Sequence, residues 1–207
     1  MMIPARIHRN LLQILLFALL AACGASYPKV AKLDPAAVVL AFGDSLTFGT
    51  GAGTTDSYPA VLEGLIGRKV VRSGVPGEVS EEGLERLPEV LDEVKPGLLV
   101  LCHGGNDFLR KMDDAAARSN VRGMVKLARD RGIAVVLLAT PKPGFGVAMP
   151  KFYGEIGQEF GIPVEAAILE SVLTDRSLKS DLVHPNAQGY RKIAEAVAKV
   201  LKKSGAI

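Results

Sequence analysis

Three short runs of uninterrupted apolar residues, each followed by a polar segment, constrain this chain more than any other feature. They are Ala37-Val38-Val39-Leu40-Ala41-Phe42, Leu98-Leu99-Val100-Leu101-Cys102 and Ala134-Val135-Val136-Leu137-Leu138. Five or six apolar residues without alternation are the pattern of a strand covered on both faces, as in a parallel sheet. Val70-Val71 is a weaker candidate, and Ile162-Pro163-Val164 is a candidate fifth strand. Between these runs, apolar residues recur at helical spacing over 57–66, 80–94, 113–131, 150–160 and 186–202. Strand–helix alternation with short connections predicts an α/β fold. Helices cover both faces of a five-stranded parallel sheet, giving a three-layer α/β/α sandwich. Ligands of such sheets bind outside the carboxyl ends of the strands. Residues that follow each apolar run are therefore the candidates for chemistry.

Composition excludes several classes. The 207 residues are 48% hydrophobic and 23% charged, enough apolar material for one full core. The net charge is only +3, aromatic residues make up 5%, and no basic run of five exists. A dedicated nucleic-acid binder would show a basic stripe with stacking rings. No stretch reaches the roughly 18 apolar residues of a membrane span, so a multi-span membrane protein is excluded. The two cysteines, Cys23 and Cys102, cannot build a disulfide scaffold. No internal repeat or second domain is evident.

The N-terminus reads as an address. Arg6 and Arg9 precede an apolar run from Leu11 to Ala22 that is broken only by Gln13. That is the layout of a secretory signal peptide; a buried core helix is the plainer alternative. Its end, Leu20-Ala21-Ala22-Cys23, resembles the lipobox of bacterial lipoproteins. The resemblance implies removal of residues 1–22 and a diacylglyceryl group on Cys23. Ordinary signal cleavage with an incidental cysteine is the alternative. Residues 23–35 are then a lipidated N-terminus and polar tether, and 36–207 the folded domain. The expected location is the bacterial cell envelope, lipid-anchored on the periplasmic side. Gly24 after the cysteine resembles lipoproteins sorted to the outer membrane.

Three strand ends carry suggestive residues. Gly43-Asp44-Ser45-Leu46-Thr47 places a serine at the tip of the first strand. Alone, this triplet reads more simply as a turn with a capping serine. His103-Gly104-Gly105-Asn106-Asp107 follows the third run, where paired glycines let backbone approach a ligand and Asn106 offers an amide donor; a plain turn is the alternative. Asp181-Leu182-Val183-His184 puts a carboxylate three residues before a histidine. That spacing lets the carboxylate fix the imidazole tautomer and stabilise the imidazolium, or it is merely a loop capping the last helix.

Taken in order, these blocks resemble the GDSL, or SGNH, hydrolase superfamily. Gly43-Asp44-Ser45-Leu46 resembles its first block and Arg72-Ser73-Gly74-Val75-Pro76-Gly77-Glu78 its second. Gly104-Gly105-Asn106-Asp107 resembles its third, and Asp181-x-x-His184 its fifth. The resemblance is strongest to the bacterial periplasmic thioesterases, arylesterases and lysophospholipases. It implies a flavodoxin-like fold and a serine ester hydrolase that works through an acyl-enzyme. By position, Ser45 would be the nucleophile, His184 the general base and then acid, and Asp181 its orienting partner. The backbone amides of Ser45 and Gly77 and the side chain of Asn106 would form the oxyanion hole. Acyl transfer needs such donors but no metal or other cofactor, and the histidines show no zinc spacing.

Arg72 and Glu78 depart from the usual Asn and Asp of the second block, which bears on its support and not on the assigned roles. His103 either lines the cleft or packs at the strand end. Cys102, closing an apolar run, is expected to be a buried, inert thiol. Phe145, Val147 and Met149, after the fourth run, are candidates for an acyl pocket, which favours a small ester or thioester substrate with an apolar acyl group. A carbohydrate O-deacetylase is the alternative enzyme, because fold does not fix substrate. A catalytically silent, lipid-anchored binding protein is the alternative of another class.

Overall fold

The fold is taken from a computed structural model, in which residues 27–144 and 146–207 are described. Its main sheet comprises β1 (Val39–Gly43), β2 (Val70–Gly74), β3 (Leu98–Cys102), β4 (Ala134–Leu138) and the two-residue β7 (Val164–Glu165). All neighbours pair in parallel, in the order β2-β1-β3-β4-β7. The sheet is the five-stranded parallel one expected from the sequence.

The uninterrupted apolar runs have the physical reason anticipated for them. Val39, Ala41, Leu98, Val100, Cys102, Val136 and Leu138 face one core layer. Leu40, Phe42, Leu99, Leu101, Val135 and Leu137 face the other. The first layer is closed by α2 (Tyr58–Ile66), α7 (Ile168–Thr174) and α8 (Ala187–Ser204). The second is closed by α3 (Ser80–Val94), α5 (Asp114–Asp130) and α6 (Phe152–Phe160). Two short helices, α1 (Ser45–Phe48) and α4 (Gly105–Leu109), follow β1 and β3 directly.

Four details differ from the expectation. Strand β1 begins at Val39, because Ala37 closes a turn against Asp34. Strand β7 is shorter than its apolar run, because Pro163 has no N–H for the ladder and serves the edge only through its carbonyl, which accepts from Leu137. The segment after β4 is a small antiparallel hairpin, β5 (Lys142–Gly144) with β6 (Gly146–Ala148), where Pro and Gly had suggested a loop. Upstream, Leu33 is buried in the first core layer, so the packed domain reaches back into the segment read as tether.

Strand order reverses at β1: β2 lies on one side of it and β3 on the other. A crevice opens at such a switch point, outside the carboxyl ends of the two strands. The elements that follow β1 and β3 are α1 and α4, and each begins with a residue of the sequence motifs.

Candidate active site

Ser45 opens α1, with Asp44 as its N-cap: Asp44 Oδ1 accepts from Leu46 N–H at 3.0 Å. The cap is therefore the aspartate and not the serine, which leaves the Ser45 hydroxyl free of that duty. The turn lies flush on the sheet because Gly43 and Gly74 lack side chains. A Cβ on Gly43 would strike the Cys102 carbonyl, and one on Gly74 would strike the backbone of α1.

His184 reaches Ser45 across the crevice from the loop before α8. Its Nε2 lies 3.0 Å from Ser45 Oγ and its Nδ1 2.7 Å from Asp181 Oδ2. Asp181 Oδ1 also accepts the backbone N–H of Val183 and of His184, both at 2.8 Å. These bonds fix the loop and present Nδ1–H to the carboxylate, so Nε2 is the acceptor facing the serine hydroxyl. Burial would raise the Asp181 carboxyl, but the bonds from the His184 ring and the two amides outweigh it and hold it down to about 2. This carboxylate stays ionised beside the imidazole over the whole physiological range. The arrangement can deprotonate a hydroxyl as it attacks and return the proton to a leaving group.

Asn106 stands opposite, near the start of α4. Its Nδ2 donates to the Glu78 carbonyl at 2.9 Å and to Asp44 Oδ2 at 3.3 Å. The second bond is the longer, so that hydrogen is the more weakly held of the two. Neither the Ser45 nor the Gly77 backbone N–H finds a partner among the described residues. Gly77 holds a left-handed φ of 83°, and its carbonyl accepts from Arg110 at 2.7 Å. The cleft, about 180 Å³, is lined by Ser45, Asn106 and His184, with Leu109, Leu173 and Leu182 among its apolar walls. Gly77 is not part of that lining.

Sequence reasoning missed the support beneath this site. The Glu78 carboxylate takes both Arg86 Nε and Nη2 at 2.7 Å, and His103 Nε2 at 3.0 Å. Arg86 also donates to Ser73 Oγ at 2.7 Å and lies 4.1 Å from the centre of the Phe42 ring. His103 is fully buried and its Nδ1 accepts from Gly104 N–H, so Nε2 carries the hydrogen given to Glu78. It packs at the strand end, and the cleft reading of His103 is not borne out. Burial would raise the Glu78 carboxyl, and the Arg86 and His103 bonds together pull it below its ordinary value. Asp107 binds the first residue of α3, accepting from Ser80 N at 2.9 Å and from Ser80 Oγ at 2.5 Å. The departures at 78 and 103 thus form one buried pair, a signal visible only once the topology brings block two against block three.

Cys102 is buried, and burial pushes its thiol far above its ordinary value, as expected of an inert residue. Pro141 and Pro143 line the cleft from the segment after β4. Met149 instead packs against the second core layer; Phe145 and the Val147 side chain lie outside the described residues. Cys23 does too. Among the described residues no group of His, Cys, Asp and Glu is placed to hold a metal ion.

With this geometry in place, comparison with known proteins gives consistent findings. The model of the GDSL-like Lipase/Acylhydrolase family matches residues 41–192. "Esterase TesA" of Pseudomonas aeruginosa is 31% identical over 178 residues, covering 81% of this chain and 89% of that protein. "Thioesterase 1/protease 1/lysophospholipase L1" of Escherichia coli is 27% identical over 172 residues, covering 79% and 83%. A crystal structure of TesA superposes with a TM-score of 0.73 at 30% identity, covering 80% of this chain and 98% of that one.

Proposed function

This chain belongs to the GDSL-like lipase/acylhydrolase family and is a serine ester hydrolase; we propose that it cleaves carboxylic esters or thioesters through an acyl-enzyme on Ser45. The observation that carries the assignment of residues is His184, whose two ring nitrogens meet Ser45 Oγ and Asp181 Oδ2 at 3.0 and 2.7 Å.

In the proposed reaction Ser45 Oγ attacks the acyl carbon while its proton passes to His184 Nε2. Asp181 stabilises the imidazolium. The carbonyl oxygen becomes an oxyanion that takes hydrogen bonds from Ser45 N–H, Gly77 N–H and Asn106 Nδ2. Collapse breaks the bond to the alkoxide or thiolate, which leaves with the proton from His184. Water then attacks the acyl-serine, gives its proton to His184, and the acid departs with Ser45 regenerated.

The substrate is a small ester or thioester with an apolar acyl group, supported by Leu109, Leu173 and Leu182 along the cleft. These walls offer sugar hydroxyls few partners, which disfavours the carbohydrate O-deacetylase. A silent binding protein would have no need of the Ser45–His184–Asp181 contacts.

We also propose that residues 1–22 are a signal peptide, that Cys23 carries a diacylglyceryl group, and that the hydrolase domain of this envelope lipoprotein, expected at 36–207, extends back to take in Leu33. Leu20-Ala21-Ala22-Cys23 behind the apolar run supports this. A fluorophosphonate probe tests the chemistry: it should label the wild type and not Ser45→Ala, and unlabelled wild type would remove Ser45 as nucleophile. Fatty-acid labelling lost in Cys23→Ser tests the anchor.

A further inference from the structure

The described N-terminal segment is pinned at the pole opposite the cleft. We propose that this docking turns the cleft away from the bilayer that holds Cys23. The enzyme then acts on esters arriving from the aqueous phase and not on lipids of its own membrane. The inference rests on the lipid-anchor reading above.

Several contacts fix the pin. Val30 N–H donates to the Ser204 carbonyl at 3.0 Å, and Leu33 N–H to that of Ala206 at 2.9 Å. Lys29 Nζ donates to the Lys203 carbonyl at 3.2 Å, and Lys203 Nζ stands 4.0 Å from the centre of the Tyr27 ring. A Cβ on Gly97, which precedes β3, would lie 3.6 Å from Leu33. Arg68, which precedes β2, donates to the Asp34 carbonyl at 3.4 Å. All these contacts lie at the amino ends of the strands, whereas Ser45 and Asn106 follow the carboxyl ends. Helix α8 joins the two poles. It starts at the Asn186 cap, two residues after His184, and ends at Ser204 beside the pin. At 1.5 Å per residue its length is roughly 27 Å.

Chain reach then decides the orientation. From Cys23 to Tyr27 is a few backbone steps, which span about 14 Å at full extension. Laying the cleft on the anchoring bilayer would lift Tyr27, which sits beside Lys203 near the far end of α8, by as much as roughly 27 Å. That exceeds the reach, so the pose requires peeling away at least Tyr27 through Lys29, with their contacts to Lys203. Charge favours the same orientation: Lys29, Lys32, Lys202 and Lys203 are exposed at the pinned pole, with Asp34 among them, and such a group is drawn to anionic lipid.

The full chain, expressed with its own N-terminus and purified lipidated, is reconstituted into vesicles of phosphatidylcholine and phosphatidylglycerol bearing an acceptor-dye lipid. A donor dye is placed on Leu182→Cys or Lys202→Cys. Transfer should be strong from position 202 and weak from 182; equal or stronger transfer from 182 overturns the proposal. A fluorogenic ester lipid is then supplied in the enzyme's own vesicles or in protein-free ones at matched concentration. The wild type should show no own-vesicle advantage. A Gly/Ser insertion between Ser26 and Tyr27 that doubles the reach, leaving the fold untouched, should create an advantage of about tenfold or more through effective concentration. A tenfold own-vesicle advantage in the wild type, or none after the insertion, overturns the orientation. Protein that stays off the vesicles overturns the anchor and the orientation with it. If the labelled variants give the expected transfer pattern but unlabelled wild type bound to the same vesicles fails to hydrolyse p-nitrophenyl butyrate, the esterase reading is rejected and the orientation stands.

Discussion

The carbonyl oxygen of Glu78 accepts the side-chain amide of Asn106 at 2.9 Å. The same residue's carboxylate is gripped by Arg86 and His103. The orientation of the proposed oxyanion donor therefore depends on a buried ion cluster that never touches substrate.

Glu78→Gln should lower stability by about 3 kcal/mol, because removing one member of a buried pair leaves the other uncompensated. It should also lower kcat more than it raises KM, since it frees the backbone that holds Asn106. Urea denaturation and steady-state kinetics on a p-nitrophenyl ester check both. Wild-type stability together with wild-type kcat would refute the positioning role.

Gly83→Ala tests the same cluster from the other side. A Cβ there would strike the His103 ring, and His103 is fully buried. Forcing the ring aside should cost about 1–3 kcal/mol and loosen its bond to Glu78. Thermal unfolding reads the loss, and an unchanged melting temperature would show that the ring has room to move.

Ser45→Ala should abolish esterase activity, by about 10⁴- to 10⁶-fold if Ser45 works as part of a triad. The fold should remain, because Asp44 and not Ser45 caps α1. Circular dichroism confirms folding. Retention of more than a tenth of the activity is the outcome that fails.

Asn106→Ala should lower kcat by about 10²- to 10³-fold with a smaller effect on KM, as expected for a donor engaged only in the transition state. Asn106→Asp should be worse. It sets a second carboxylate beside Asp44 Oδ2, now 3.3 Å from the amide, and faces the Glu78 carbonyl with an acceptor. An active aspartate variant would end the donor assignment.

Acid should weaken the fold through carboxylates bound in the native state. Glu78 and Asp181 both titrate below their ordinary values, Asp181 at about 2. A depressed carboxylate contributes stability above its unfolded value and loses it as pH falls through the folded one. Unfolding free energy should therefore decline below about pH 4.5, continuing toward pH 2 for Asp181. Asp181→Asn should flatten the lower part of that slope. Half exposure of Asp181 keeps its share small. Denaturant titrations across that range provide the measurement.

Much of this was legible in the sequence, for reasons that differ by element. Strands β3 and β4 announce themselves because both faces are buried, and α3 is found to the residue because its pattern runs unbroken from Ser80 to Val94. Ser45, Asp181 and His184 were legible as short motifs, and the structure brings them into contact. The pairing of Glu78 with His103 was not, since it joins residues 25 apart that meet only when β2 and β3 flank β1. The β5–β6 hairpin was hidden by the Pro and Gly content of its strands.

Gly43 and Gly74 leave the floor beneath Ser45 no freedom to vary, since any side chain there would meet backbone. The walls have no such constraint: Leu109 and Leu182 are exposed at the rim and can be exchanged without disturbing the sheet. Descendants of this chain can therefore change what they consume far more readily than how they consume it. A laboratory lineage selected on a new ester should gather its substitutions at the rim, and leave the glycines alone.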